Sequence, residues 1–194
     1  MTIQLSPRSS RNGRAVALGF VAAIAVAAFL ARDLANESAA RAFHPVWTEA
    51  NWPFPMDPWG KGTAFRCKAA DCGSEVQLYV RAKLGFCNCV SGIADDTDLE
   101  QMGDLAMIGG EVEPLGVGRQ IKVGSMHGRS RVYGVRGTQN RYGSAISLAF
   151  NQSCDMVAAL ALLQREDATS IEPVALDFLN SETVLKWIET TLGL

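Results

Sequence analysis

GRQIKVGSM (118–126), RSRVYGVRG (129–137) and SAISLAF (144–150) follow one another with only short Gly-containing breaks. The pattern of the three segments reads as strands. The expected turns fall at His127–Gly128 and around residues 138–143. MVAALALL (156–163) follows, and its period fits a fully buried strand or a short buried helix equally well.

Working outward, TAFRC (63–67) reads as a short strand and KAADCG (68–73) as a turn. SEVQLYVRAKLGFCNC (74–89) reads as a longer strand in which Val76, Leu78 and Val80 alternate. ADDTDLEQMGDLAMIG (94–109) has the pattern of a helix, with Leu99, Met102, Leu105 and Ala106 on one face. Thr97 and Glu100 are spaced as a capping box, and Asp95, Asp96 and Asp98 crowd the positive end of the helix dipole. VALDFLNS (174–181) and SETVLKWIETTLGL (181–194) close the chain as one or two helices, with Ser181 as a cap and Val184, Leu185 and Ile188 facing inward. Strands in the middle, one helix interposed and helices at the end predict an α+β body, a largely antiparallel sheet with a C-terminal helix packed on it.

The chain has 194 residues, enough for one domain of ordinary size behind an N-terminal segment. Eighteen basic against 20 acidic residues give net −2, which argues against nucleic acid as a partner. Residues 1–32 hold four arginines and no acid, so residues 33–194 carry 14 basic and 20 acidic side chains, net −6.

Residues 15–31 (AVALGFVAAIAVAAFLA) are 17 uncharged positions between Arg14 and Arg32. As a helix they would span roughly 25 Å, the short end of what crosses a hydrocarbon core. Arg8, Arg11 and Arg14 precede the run, so the positive-inside bias places the N-terminus in the cytoplasm and the body outside it. The expectation is a single transmembrane helix acting as a signal anchor in a bacterial inner membrane. Cleavage as a signal peptide, after Ala27 or Ala40, is the alternative. The expected organisation is a basic cytoplasmic tail (1–14), the anchor (15–31), a linker and Trp/Pro-rich collar (32–62), and a periplasmic α+β domain (63–194).

The collar, HPVWTEANWPFPMDPWGKG (44–62), holds four prolines and three tryptophans in 19 residues. Proline at that density forbids helix and central strand. Trp47, Trp52 and Trp59 would bury either against the domain surface or at the membrane interface.

Five cysteines, Cys67, Cys72, Cys87, Cys89 and Cys154, stand in a body expected where disulfides persist. The spacing C-x4-C, then C-x-C, lacks the C-x2-C knuckles that bring two thiolates onto one zinc ion. Two disulfides and one spare thiol are expected, joining Cys67, Cys72, Cys154 and one of Cys87 and Cys89, with no metal and no cofactor. Connectivity stays open.

From Glu113 to Asp155 no acid intervenes, while Arg119, Lys122, Arg129, Arg131, Arg136 and Arg141 contribute six positive charges. Arg129 and Arg131 share a strand face. If strands 119–126 and 129–136 pair, Arg119, Lys122, Arg129, Arg131 and Arg136 become neighbours, a docking surface for an acidic partner or anionic lipid headgroups, or else a solvated face. Reversing Arg129 and Arg131 to Glu is then expected to leave the fold intact and abolish association. The Asp95, Asp96, Asp98, Glu100 cluster lacks the glycine turn and distal acid of a calcium loop, and reads as helix capping. His44 and His127 are the only histidines, and no hydrolase, zinc-protease or phosphate-loop motif accompanies them.

WPFPMDPWGKGTAFRC (52–67) and LYVRAKLGFCNC (78–89) resemble uncharacterised membrane-anchored proteins of alphaproteobacteria. That resemblance implies a compartment and no chemistry. In element order the body (63–194) resembles the PsbP/Mog1-like sandwich, which implies a fold and no activity. The function expected is a membrane-tethered interaction or assembly protein with a membrane protein or complex as partner. A small-ligand or metal-binding periplasmic module is the alternative. A thiol-dependent enzyme ranks third.

Overall fold

The computed structural model describes residues 44–85, 92–137, 142–164 and 168–194. They form the α+β arrangement expected, a large antiparallel sheet with C-terminal helices. The strands are β1 (Trp47–Ala50), β2 (Thr63–Cys67), β3 (Val76–Lys83), β4 (Glu111–Pro114), β5 (Arg119–Val123), β6 (Met126–Arg136), β7 (Ser144–Gln152) and β8 (Asp155–Leu163). Their order is β1-β2-β3-β8-β7-β6-β4, every pair antiparallel. β5 and β4 share the outer edge of β6, β5 along Met126–Ser130 and β4 along Tyr133–Arg136.

The ambiguous run is strand β8. It lies between β3 and β7, and every residue from Met156 to Leu163 is buried. A strand covered on both faces shows no polar alternation, so its period carries no signal.

Four helices accompany the sheet among the described residues: α1 (Ala69–Cys72), α2 (Asp96–Met102), α3 (Glu172–Leu179) and α4 (Glu182–Leu192). α3 and α4 cover one face. There Val184, Ile188 and Leu192, one turn apart along α4, meet Leu78, Val80, Ile146, Leu148 and Phe150 from the sheet. Each such buried side chain contributes about 1.5–3 kcal/mol relative to exposure. The other face carries Tyr79, Tyr133, Val135, Ala145, Leu160 and Leu162, and is covered by Trp52 and Phe54 of the collar with Leu105 and Ile108 of a 3-10 turn. α2 lays Leu99 on Ala149, Met156 and Ala158 of the same face.

Several local expectations shift. The sheet begins before Thr63, because Trp47–Ala50 pairs with β2 as the edge strand β1. KAADCG contains the short helix α1, closed by Gly73 in the left-handed region (φ 74°). The β5–β6 turn is at Gly124–Ser125, two residues, with Gly124 at φ 57°. His127 and Gly128 instead lie inside β6. Gly128 is there because a Cβ would stand 2.0 Å from the Ala149 carbonyl oxygen of β7. The capping box of α2 is two residues earlier than the Thr97/Glu100 spacing suggests. The Asp95 carboxylate accepts from the Asp98 N–H at 2.9 Å, and the Asp98 carboxylate accepts from the backbone of Ala94 and Asp95. α2 ends at Met102, so Leu105 packs in a separate turn and Ala106 is exposed. Ser181 holds the N-cap position of α4 but makes no side-chain cap hydrogen bond.

The expected tail, anchor and first part of the linker (1–43), Cys87, Cys89 and Arg141 lie outside the described residues. No helix among the described residues is long and apolar enough to cross a membrane.

Candidate functional site: a charged cleft beneath the collar

The alternation in β3 puts Val76, Leu78 and Val80 toward the helices, as expected. It also sends Tyr79, Arg81 and Lys83 to the opposite face, where the collar lies over them. Arg81 and Lys83 are therefore buried, at 4% and 5% exposure. Charges buried this far demand partners. The sequence after α2 supplies one: Asp104, 4% exposed, follows Gly103, whose N–H caps Leu99 at the helix end.

Asp104 receives Arg81 through two bonds, Nε to Oδ2 at 2.8 Å and Nη2 to Oδ1 at 2.6 Å. The Lys83 ammonium lies 3.0 Å from Asp104 Oδ1 and donates to the Met102 carbonyl at 2.6 Å. Trp59 of the collar stands over that ammonium, its ring centroid 5.9 Å from Nζ. Arg81 Nη1 donates to Asp57 Oδ2 at 2.6 Å.

Asp57 is placed by its own turn. In Asp57-Pro58-Trp59-Gly60 the Gly60 N–H bonds to the Asp57 carbonyl at 2.9 Å, and the Trp59 N–H bonds to Asp57 Oδ1 at 2.9 Å. Asp before Pro is the usual opening of such a turn, because the carboxylate mimics a backbone acceptor while Pro fixes φ. The Arg81 hydrogen bond, with help from the Trp59 N–H, holds the Asp57 carboxyl below the usual carboxylate range. Burial works against the Arg81 charge, and the bonds to Asp104 and Asp57 outweigh it, so its pKa is raised.

These groups line a cavity of about 420 Å³ between the collar and the 3-10 turn, walled by Phe54, Trp59 and Met107. Trp52, Phe54 and Tyr79 fasten the collar by edge-to-face contacts with centroids 4.8–5.8 Å apart. Trp59 remains 41% exposed at the mouth.

The basic strip is divided by the same alternation. Lys122, Arg129 and Arg131 face the α2 side, while Arg119 and Arg136 face the α3/α4 side. Four of these cations have acids of this chain as partners. Arg129 donates twice to Asp96 Oδ1, at 2.9 and 2.6 Å, and Arg131 donates to Glu100 at 2.7 Å. Arg119 pairs with the buried Glu172, which also accepts from Ser130, and Arg136 pairs with Glu113 at 3.1 Å. The Gly118 N–H and then Arg129 hold the Asp96 carboxyl below its ordinary value. The acid cluster at α2 is thus used in capping and in these pairs.

Cys67 and Cys72 form a disulfide across α1. Cys154 is also disulfide-bonded, and its partner is outside the described residues. No group of three or more His, Cys, Asp and Glu among the described residues could hold a metal ion. His44 and His127 are exposed.

Asp57, Arg81, Lys83 and Asp104 were not among the sequence candidates. Arg81 and Lys83 alternate with apolar residues, which is the signature of a solvated strand face. The aromatic density of the collar was the signal that this face is covered. Comparison with known proteins finds no matching family model, no matching curated protein and no matching solved structure.

Proposed function

We propose that this chain is a non-catalytic binding protein, tethered to a bacterial inner membrane by residues 15–31, with its body in the periplasm and recognition centred on the cleft beneath the collar. One observation carries the reading. The Trp/Pro segment folds back as the wall of a cavity of about 420 Å³ whose floor is the buried Arg81, Lys83 and Asp104. Ligand sites are typically concave, largely apolar and furnished with a few convergent polar groups. The 17-residue uncharged run with arginines on its N-terminal side supports the tether. The bonded Cys67, Cys72 and Cys154 support an oxidising compartment. A tether raises the effective concentration of the cleft near membrane-bound partners.

Two measurements test this. An alkaline-phosphatase fusion after Leu194 should be active, and an inactive fusion would remove the periplasmic placement. Full-length protein extracted in mild detergent should carry a ligand or partner, by native mass spectrometry, that Trp59→Ala with Phe54→Ala loses. Retention by that variant moves recognition off the cleft.

A second reading, docking on a membrane protein through the β4–β5 edge, is supported by the loop joining those strands. Leu115 and Val117 are 56% and 83% exposed there, beside Arg119 and Arg131. Adjacent exposed apolar and basic groups suit a protein interface.

A further inference from the structure

The buried part of the cleft cluster is Arg81, Lys83 and Asp104, two cations and one anion. It carries one surplus positive charge. The carboxylate that balances it comes from the rim: Asp57, whose side chain is 36% exposed. That bond occupies Arg81 Nη1, the terminal nitrogen that Asp104 does not use. Lys83 has two oxygen partners among the described residues, Met102 and Asp104, and Trp59 stands over its ammonium. Two cationic donors therefore border the cavity, one held by a rim carboxylate and one shielded by an indole face. Beside them Phe54, Trp59 and Met107 offer apolar wall.

We propose that the cleft takes a small organic monoanion, a carboxylate on an aromatic or apolar body, and that Asp57 is the internal carboxylate it displaces from Arg81. The ligand carboxylate bridges Arg81 Nη1 and the Lys83 ammonium, and its body lies against Trp59 and Met107. An anion is selected because it alone preserves neutrality once Asp57 swings out. A cation would add to the surplus charge, and a neutral ligand would leave a buried guanidinium nitrogen without its counter-ion. The apolar walls select against inorganic anions, which gain nothing from them. The proposal rests on the reading of the cleft as the recognition site.

Benzoate, benzamide and benzylamine are matched in size and differ in charge. Each is titrated into the full-length protein in detergent micelles while tryptophan emission is followed, with Trp59→Phe assigning the signal to the cleft. Benzoate should bind at least roughly tenfold tighter than benzamide, the scale of one hydrogen bond to a charged group. Asp57→Asn keeps the acceptor that the Trp59 N–H needs while removing the competing charge, so it should tighten benzoate several-fold. Lys83→Met should abolish benzoate binding. Asp57 is on the rim, so its variant decides the matter even where Lys83→Met fails to fold. Benzamide or benzylamine binding as well as benzoate, or weaker benzoate binding by Asp57→Asn, would overturn the anion proposal while the cleft stands as a site. No Trp59 response to any of the three probes would overturn both.

Discussion

Arg81 and Asp104, 23 positions apart in the chain, meet through two hydrogen bonds of 2.8 and 2.6 Å with both residues 4% exposed. The same carboxylate takes the Lys83 ammonium at 3.0 Å. One acid therefore neutralises part of a buried two-cation site beneath the collar. Removing its charge leaves two buried cations with only the rim carboxylate of Asp57 to balance them. Asp104→Asn should destabilise the body by about 3–5 kcal/mol, the range for breaking a buried pair from one side. Urea denaturation measures it, and a loss below about 1 kcal/mol would put the pair in the class of exposed bridges.

The pairing of Arg129 and Arg131 with Asp96 and Glu100 changes what charge reversal does. Arg129→Glu with Arg131→Glu sets two carboxylates against Asp96 and Glu100 of α2, and also removes donors to the Gly116 and Gly118 carbonyls. The fold should lose about 2–4 kcal/mol, because lost charged hydrogen bonds are replaced by like-charge contacts. The double variant therefore tests folding as well as association. Lys122→Glu with Arg136→Glu is the better probe of docking, since both side chains are exposed and surface changes of this kind stay within about 0.5 kcal/mol. Parallel thermal melts of the two double variants separate the cases.

Acid should weaken the same contacts. Asp96 and Asp57 both have folded pKa values below their unfolded ones, Asp96 chiefly through the Gly118 N–H and Asp57 chiefly through Arg81. A depressed carboxyl stabilises fully above its unfolded pKa, about 3.9, and that contribution disappears as pH falls through the folded value. The melting temperature should therefore drop on acidification below about pH 4. Asp96→Asn should start lower at neutral pH and fall less steeply in that window. Parallel slopes for the two proteins would mean Asp96 titrates alike in both states.

How much of this was legible in the sequence follows from what each residue had to show. Val76, Leu78 and Val80 announced their strand because one face is apolar. Met156–Leu163 announced only burial, since both of its faces are covered. The α2 cap was misplaced by two positions because four acids within residues 95–100 offer overlapping capping registers, and backbone geometry chose Asp95 and Asp98. The cleft was hidden for a different reason. Arg81 and Lys83 are buried by a segment some 20 residues earlier and neutralised by one some 20 residues later, a long-range arrangement that no local pattern encodes.

Cys67 and Cys72 close a short loop around α1, and both are buried. Cross-linking so short a loop removes little chain entropy from the unfolded state, so Cys67→Ala with Cys72→Ala should cost about 2 kcal/mol. Guanidinium midpoints of the oxidised wild type and the double variant provide the comparison. An unchanged midpoint would show that packing of α1 alone holds this corner.

The collar itself depends on Gly62. A Cβ there would stand 2.1 Å from the Val80 carbonyl oxygen, 2.6 Å from Arg81 Cβ and 2.8 Å from the Trp52 ring. Two of those neighbours belong to a central stretch of β3 and have no room to retreat, so the chain leading into β2 must lift instead. Lifting it separates Trp52 and Phe54 from Tyr79 and opens the cleft wall. Gly60, two residues earlier, is a control: it has φ 76° but nothing within 4 Å of a Cβ, so Gly60→Ala meets only backbone strain of about 1–2 kcal/mol. Gly62→Ala should cost more, about 2–4 kcal/mol, the range of overpacked sites, and should shift tryptophan emission to the red as Trp52 meets water. The red shift is the deciding readout. If Gly62→Ala and Gly60→Ala lose equal stability and neither moves the emission, the collar is held by its aromatic contacts alone and the close approach at Gly62 is incidental.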